Sequence, residues 1–362
     1  MAQVYTALGM MSGTSYDGVD LGIITVDASG VASSTLGAAK TYPYSNQLKL
    51  QIAQLCSGNY QNIWQTERDI SDFHLEVAKD FLASQKVDLI GFHGQTIYHN
   101  ISQKITVQLG NPHTLAQGLA TDVIYDFRRR DVASGGSGAP LVPIFLRAVK
   151  PKSLDSACFL NLGGVANICY INTVKDQLIA FDAGPCNGPM NDLCLKAFNK
   201  DFDDTGTIAA SGKVDNALLE KWAHNNFFTQ AYPKALDRNH FDFTTDYLIP
   251  PADLLATMVE FTAYSIKKAV ELLPSGSGGP NLNQIIASGG GVHNKYLLAR
   301  IGALTGVNVV TSEHYHLPAD YLEAYAFGYL AILSKLGLPI SFPNTTGVAR
   351  PTSGGVLIRA KP

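Results

Sequence analysis

Gly9 to Asp27, GMMSGTSYDGVDLGIITVD, together with the preceding VYTAL, sets two apolar runs on either side of a turn built from Gly, Ser, Thr and Asp. That layout predicts a β-hairpin. Its turn, Gly13-Thr14-Ser15-Tyr16-Asp17-Gly18, carries more hydroxyls than a short hairpin needs. Backbone N–H groups freed by glycine, with hydroxyls beside them, can wrap phosphate oxygens, and Asp17 could hold Mg²⁺ through its water shell. The same residues also suit a wide hairpin loop with internal Ser and Asp turn bonds. The pattern is not a Walker loop, because the G-x-x-x-x-G-K-[ST] spacing does not occur, and not a dinucleotide fingerprint, because a strand follows it.

Working outward, the chain presents one plan twice. ACFLNLGGVANICYINTV, Ala157 to Val174, is a second hairpin, with its turn in NLGGVAN. KVDLIGFHGQTIYH from Lys86 is an apolar strand ending in small and polar residues, and NQIIASGGGVHN, Asn283 to Asn294, repeats it. DVIYDFRRRDVA and NVVTSEHYHLPADYLEAYAFGYLAIL each begin as a β-branched strand leading into polar residues. LKLQIAQLC, ISDFHLEVAKDFLAS, PADLLATMVEFTAYSIKKAVELL and ADYLEAYAFGYLAILSKL carry helical apolar spacing. Strands alternating with helices predict a mixed, doubly wound α/β sheet in each of two lobes. The Gly/Pro-rich ASGGSGAPLVP, Ala133 to Pro143, is the expected crossing segment, and PSGSGGPN, Pro274 to Asn281, an expected surface loop.

Composition agrees with a two-lobed globular protein: 362 residues, 46% hydrophobic and 16% charged, exceed what one core usually encloses. A net charge of −3 without any long like-charge run gives no footprint for nucleic acid or an anionic membrane. There is neither a signal-peptide pattern nor a spanning apolar window. The five cysteines form no CxxC pair and suit a reducing cytoplasm.

Several polar residues at strand ends could carry chemistry. Asp182, in LIAFDAGPCNGP, follows an apolar strand and precedes a Gly-Pro turn, where it could act as a base or make an ordinary Asx turn. Ser288-Gly289-Gly290-Gly291, with Asn294 beyond, would let a planar group lie against bare backbone, or would simply serve as a flexible strand-to-helix turn. His93, Gln95 and Thr96 end one strand, and His93 is as well read as structural as catalytic. Arg128 could clamp a carboxylate or hydroxyls, or pair with Asp126 or Asp131 at the surface. Glu323 begins an apolar helix, where an acid also complements the dipole.

Taken in order, GMMSGTSYDGVD, FHGQTIYH, DFRRRDVASGGSGAPLVP, NLGGVANI, FDAGPCN, SGGGVHN and LEAYAFGYLA resemble the successive motifs of the anhydro-N-acetylmuramic acid kinases over essentially the whole chain. The resemblance implies two ribonuclease-H-like domains of the actin and hexokinase type, residues 1–128 with 341–362 and residues 129–340, with ATP and sugar in the cleft between them. It further implies a cytoplasmic, Mg²⁺-dependent homodimer in cell-wall recycling. Such an enzyme opens 1,6-anhydro-N-acetylmuramic acid with water and phosphorylates O6, yielding N-acetylmuramic acid 6-phosphate and ADP. By position, Ser12, Gly13, Thr14, Ser15, Asp17, Gly18, Val19 and Asp20 would form one phosphate loop. Asn161, Gly163, Gly164 and Asn167 would form the other, and Ser288, Gly289, Gly290, Gly291 and Asn294 the adenosine site. Asp182 matches the catalytic base, and Gln95, Thr96, Arg128 and Glu323 the sugar-binding positions.

Two departures stand out. The family's D-T-G-P-G-N reads Asp182-Ala183-Gly184-Pro185-Cys186-Asn187, and its P-K-S-T-G-R-E reads Pro233-Lys234-Ala235-Leu236-Asp237-Arg238-Asn239. These changes bear on substrate preference, so another 1,6-anhydrosugar such as levoglucosan is an alternative. A noncatalytic actin-like nucleotide switch is another, disfavoured by Asp182, Arg128 and Glu323 together. A metal-dependent hydrolase lacks any His/Asp set with ligand spacing.

Overall fold

The computed structural model describes residues 3–13, 15–28, 34–83, 85–236, 240–243, 249–274, 282 and 284–360. Thr14, Asp237 to Asn239 and residues 275–281 of the expected surface loop lie outside them. The chain forms two compact units, Met1–Val149 with Tyr321–Pro362, and Lys150–Asp320.

In the first unit the strands are β1 (Val4–Ser12), β2 (Gly18–Asp27), β3 (Ser34–Pro43), β4 (Leu89–Asn100), β5 (Ile105–Leu109), β6 (Asp122–Tyr125) and, near the chain end, β12 (Val356–Ile358). The second holds β7 (Ser156–Leu162), β8 (Val165–Asn172), β9 (Gln177–Pro185), β10 (Gln284–Ser288) and β11 (Asn308–Thr311). Helices α1 (Asn46–Cys56), α2 (Ile63–Leu82), α3 (Pro112–Leu119), α4 (Arg129–Ala133) and α5 (Pro143–Val149) belong to the first unit. The second has α6 (Asn187–Phe198), α7 (Thr207–Ser211), α8 (Asn216–Ala223), α9 (Pro251–Glu271) and α10 (Lys295–Thr305), and the first is completed by α11 (Leu322–Lys335) and α12 (Pro343–Thr346).

The sheets run β3-β2-β1-β4-β6-β12, with β5 on β4, and β9-β8-β7-β10-β11. In each, a three-stranded antiparallel meander is extended from its first strand by two parallel strands. Parallel neighbours need crossover connections, and α1 with α2, α3, α6 to α9, and α10 provide them. This is the ribonuclease-H-like arrangement, and it occurs twice. The three segment pairs read from the sequence are β1–β2 with β7–β8, β4 with β10, and β6 with β11.

The units part at 149/150 and 320/321 rather than at the expected 128/129 and 340/341. The reason is packing: α11 lies on β1, β2, β4 and β6, and α5 packs on α11. Backbone meets backbone there, since a Cβ on Gly9 would stand 1.8 Å from the Ala324 carbonyl and one on Gly91 2.1 Å from that of Phe327. Only glycine permits so close an approach. Among the described residues no helix is long and apolar enough to cross a membrane. All five cysteines are free, with only Cys56 exposed.

Candidate active site

In the first unit the chemistry collects at the carboxyl ends of β1 and β4. Ser12 and Gln95 are register partners across an irregularity in that pairing. Ser12 is buried and its hydroxyl donates to the Gly94 carbonyl at 3.0 Å. Gln95, fully buried, donates from Nε2 to the carbonyls of Gly13 at 3.0 Å and Thr96 at 3.2 Å, while its Oε1 has no partner. Its amide therefore holds the hairpin loop in place. Tyr16 adopts φ 43°, its N–H donating to Gly13 at 3.2 Å, and its ring packs against the core of this unit.

The rest of the loop divides between frame and surface. Val19 is buried, and a Cβ on Gly18 would lie 2.3 Å from the Tyr42 carbonyl, so these residues seat β2 on β3. Asp20 accepts from the Thr41 hydroxyl at 2.6 Å. Ser15 and Asp17 present exposed side chains. One exposed carboxylate, with no cluster of three or more metal-ligating side chains among the described residues, fits a hydrated Mg²⁺ carried on phosphate and not a protein cage.

Arg128 follows β6 and lies under Phe327 of α11, 5.8 Å from the ring centre. Its Nε and Nη2 reach His93 Nε2 at 3.1 and 3.0 Å, and Nη1 donates to the Gly138 carbonyl at 2.8 Å. The alternative surface ion pairs do not form: Arg129 pairs with Asp126 at 3.8 Å, and buried Asp131 accepts from Gly138 N–H and the Thr346 hydroxyl, both at 2.6 Å. The expected crossing segment is thus gripped at Gly138 by Arg128 on its carbonyl and Asp131 on its N–H. Burial lowers the Arg128 pKa from its usual value, with Glu323 and Asp131 opposing, and burial raises that of Glu323 against the pull of Arg128. Thr96 is half-buried and its hydroxyl accepts from Gln108 Nε2 at 3.2 Å.

In the second unit three expected sites converge. Asn161 is the register partner of Asn167 across the β7–β8 hairpin and of Ser288 on β10. Gly163 and Gly164 form the tip, their carbonyls accepting from the N–H groups of Asn187, Cys186 and Gly188 at the start of α6. The glycine run packs on this hairpin: a Cβ on Gly289, whose φ is 78°, would meet Asn161 Oδ1 at 2.4 Å, and one on Gly291 would meet Leu162 Cβ at 2.5 Å. Nothing lies within 4 Å of a Cβ on Gly164 or Gly290. Asn294 caps α10 through a bond from Leu297 N–H at 2.9 Å, and Gly206 packs against its amide. That second neighbour had no marker in the sequence beyond Thr-Gly.

Asp182 sits on β9 as register partner of Asn167, next to an irregularity in the β8–β9 pairing. The strap around Lys234 pins it: Asp182 N–H donates to the Lys234 carbonyl at 3.0 Å, and Leu236 N–H donates to Asp182 Oδ2 at 2.7 Å. Burial raises the carboxyl to about 6, opposed by the Leu236 N–H and by Lys234. Lys234 donates to the Phe227 carbonyl at 2.7 Å and lies 4.3 Å from that ring's centre, burial lowering it to about 8. Lys234 and Asp182 are 52 positions apart in the chain, so no local pattern shows their partnership. Ala183 and Cys186, the departures beside Asp182, are buried core residues.

The family model described as anhydro-N-acetylmuramic acid kinase matches residues 5–360. A protein of that name from Rhodopseudomonas palustris strain BisB18 is 39% identical, the match covering 98% of this chain and all of that one. Another from Zymomonas mobilis is 36% identical, over 96% of this chain and 98% of its own. Among solved structures, the xylulose kinase from Lactobacillus acidophilus matches at a TM-score of 0.42 and 11% identity, covering 90% of this chain and 89% of its own. By its family match and full-length relatives, the chain belongs to the anhydro-N-acetylmuramic acid kinase family and is an ATP-using phosphotransferase.

Proposed function

We propose that the enzyme opens the 1,6-anhydro ring of 1,6-anhydro-N-acetylmuramic acid with water while phosphorylating O6. Water oxygen bonds to C1 and gives its proton to Asp182; the C1–O6 bond breaks, O6 bonds to the γ-phosphorus, and ADP leaves. The products are N-acetylmuramic acid 6-phosphate and ADP, with the proton passing from Asp182 to solvent. The observation that carries this reading is the seating of Asp182, half-buried on β9 opposite Asn167 with Leu236 N–H on one carboxylate oxygen at 2.7 Å. Desolvation raises the carboxyl to about 6, so it is ionised near neutrality yet basic enough to accept a proton. Leu236 N–H fixes one of its oxygens and leaves the other for water.

The other groups around the substrates take supporting roles. Gly13, Ser15 and the Asn161 to Asn167 hairpin bind phosphate, Ser288 to Asn294 the adenosine, and Thr96, Arg128 and Glu323 the sugar, with Gln95 acting through the loop it holds. Mg²⁺, carried with ATP and approached by Asp17, neutralises phosphate charge when bound. We place the enzyme in the cytoplasm as a homodimer serving peptidoglycan recycling, without nucleic acid as a partner.

The test is ADP release from Mg-ATP across a panel of 1,6-anhydrosugars and their open-ring forms. Anhydro-N-acetylmuramic acid should be the best substrate, and Asp182→Asn should lower kcat by at least about 10² with the fold intact. Turnover of open-ring sugars alone would remove the hydrolytic half of the mechanism.

A further inference from the structure

His93 is buried on β4, two residues from Gln95, and its ring packs at a tilt of 48° against Phe327 with ring centres 4.5 Å apart. Its hydrogen bonds fix its tautomer. Nδ1 lies 2.7 Å from the Gly94 carbonyl, which only accepts, so Nδ1 carries the proton. Nε2 faces Nε and Nη2 of Arg128, which only donate, so Nε2 is bare. A second proton on the ring would point into the guanidinium.

Arg128 is consequently held on one edge by a neutral imidazole and at Nη1 by the Gly138 carbonyl, with no carboxylate in ion-pair contact among the described residues. An Arg usually immobilised by Asp or Glu has its charge offset by the partner. Here two neutral acceptors fix the plane and leave the full positive charge, with the unused N–H of each terminal nitrogen available to a ligand oxygen. Of the nearby acids, Asp131 is engaged by Gly138 N–H and Thr346, and Glu323 acts on Arg128 at longer range.

We infer that His93 is a positioning residue, the neutral acceptor that orients the Arg128 guanidinium toward the anhydrosugar. The inference rests on the sugar-binding role proposed for Arg128. It separates the two residues by role: Arg128 touches the sugar, and His93 acts only through Arg128.

The test compares His93→Phe, which keeps a planar ring but removes the acceptor, with His93→Gln, whose side-chain oxygen can stand where Nε2 stood. For His93→Phe the sugar KM should rise about tenfold, the worth of a lost hydrogen bond to a charged group. The ATP KM should stay unchanged, and His93→Gln should recover most of the sugar affinity. Combined with Arg128→Ala, His93→Phe should add little further loss. In parallel, ¹⁵N NMR of the whole enzyme should show a slowly exchanging Arg128 Nε–H in the wild type that exchanges faster in His93→Phe. An unchanged sugar KM with active wild type, full additivity with Arg128→Ala, or an Arg128 Nε–H equally protected in both proteins overturns the inference. A wild type inactive on every anhydrosugar overturns the functional reading instead, and the NMR comparison then decides whether His93 orients Arg128.

Discussion

At Asp182, function and stability pull in opposite directions. The folded carboxyl titrates at about 6 against an ordinary 3.8, so the native state binds the proton more tightly than the unfolded chain. The sign follows from linkage: this group's contribution favours folding at low pH and is lost as pH rises from about 3.8 through about 6. Asp182→Asn removes the half-buried charge while keeping an oxygen for Leu236 N–H, so it should stabilise the protein by about 3 kcal/mol at pH 8. Urea unfolding of both proteins at pH 8 measures it, and a variant no more stable than wild type would mean the carboxylate is compensated. The wild-type rate should also fall on acidification below about pH 6, as the base becomes protonated. Tyr16, a bulky residue in a glycine-rich turn, keeps a left-handed φ of 43° that ordinarily favours glycine, and its ring against the core offsets that cost.

At the scale of elements, α11 links packing to the site. The helix can lie on β1 and β4 only because Gly9 and Gly91 bring the sheet's backbone against its own, and that contact sets where Glu323, on its first turn, is held. Gly91→Ala puts a methyl 2.1 Å from a backbone oxygen that cannot rotate away. The expected cost is about 3 kcal/mol of stability, with a raised sugar KM from the displaced helix start. Chemical denaturation with parallel kinetics checks both; unchanged values would show that α11 tolerates a shift. Mid-strand glycine is a legible sequence signal of close approach. Which helix approaches is not legible, because α11 is separated from β4 by more than two hundred residues. β3 escaped the sequence reading for a related reason: as an edge strand it is mostly exposed and carries no apolar run.

For the whole molecule, acidification should act oppositely on the two units. The first buries His74 and His93 as neutral rings, both held below the usual 6.5 chiefly by burial, His74 at about 4. Their unfolded forms take up protons first, so stability is lost as pH falls through 6.5; at pH 5 His74 alone costs about 2 kcal/mol. In the second unit Asp182 contributes the reverse, a gain of about 1 kcal/mol between pH 7 and 5. Hydrogen-exchange protection factors, corrected for intrinsic rates, should fall in β1 and β4 relative to β7 and β8 over that range. Parallel changes in both sheets would contradict the assignment.

The repeated strand plan, both glycine hairpins, the long helices and the family were legible in the amino-acid sequence alone, because they depend on local periodicity and on residues close together in the chain. Tertiary structure decided what the polar groups do. Ser12 and Gln95 brace the first loop, Ala183 and Cys186 are core, Lys234 and Leu236 surround Asp182, and His93 pairs with Arg128. Each of these relations is a hydrogen bond or a burial set by strand register and crossover, and a residue's type alone says nothing of the partner that a distant segment brings to it.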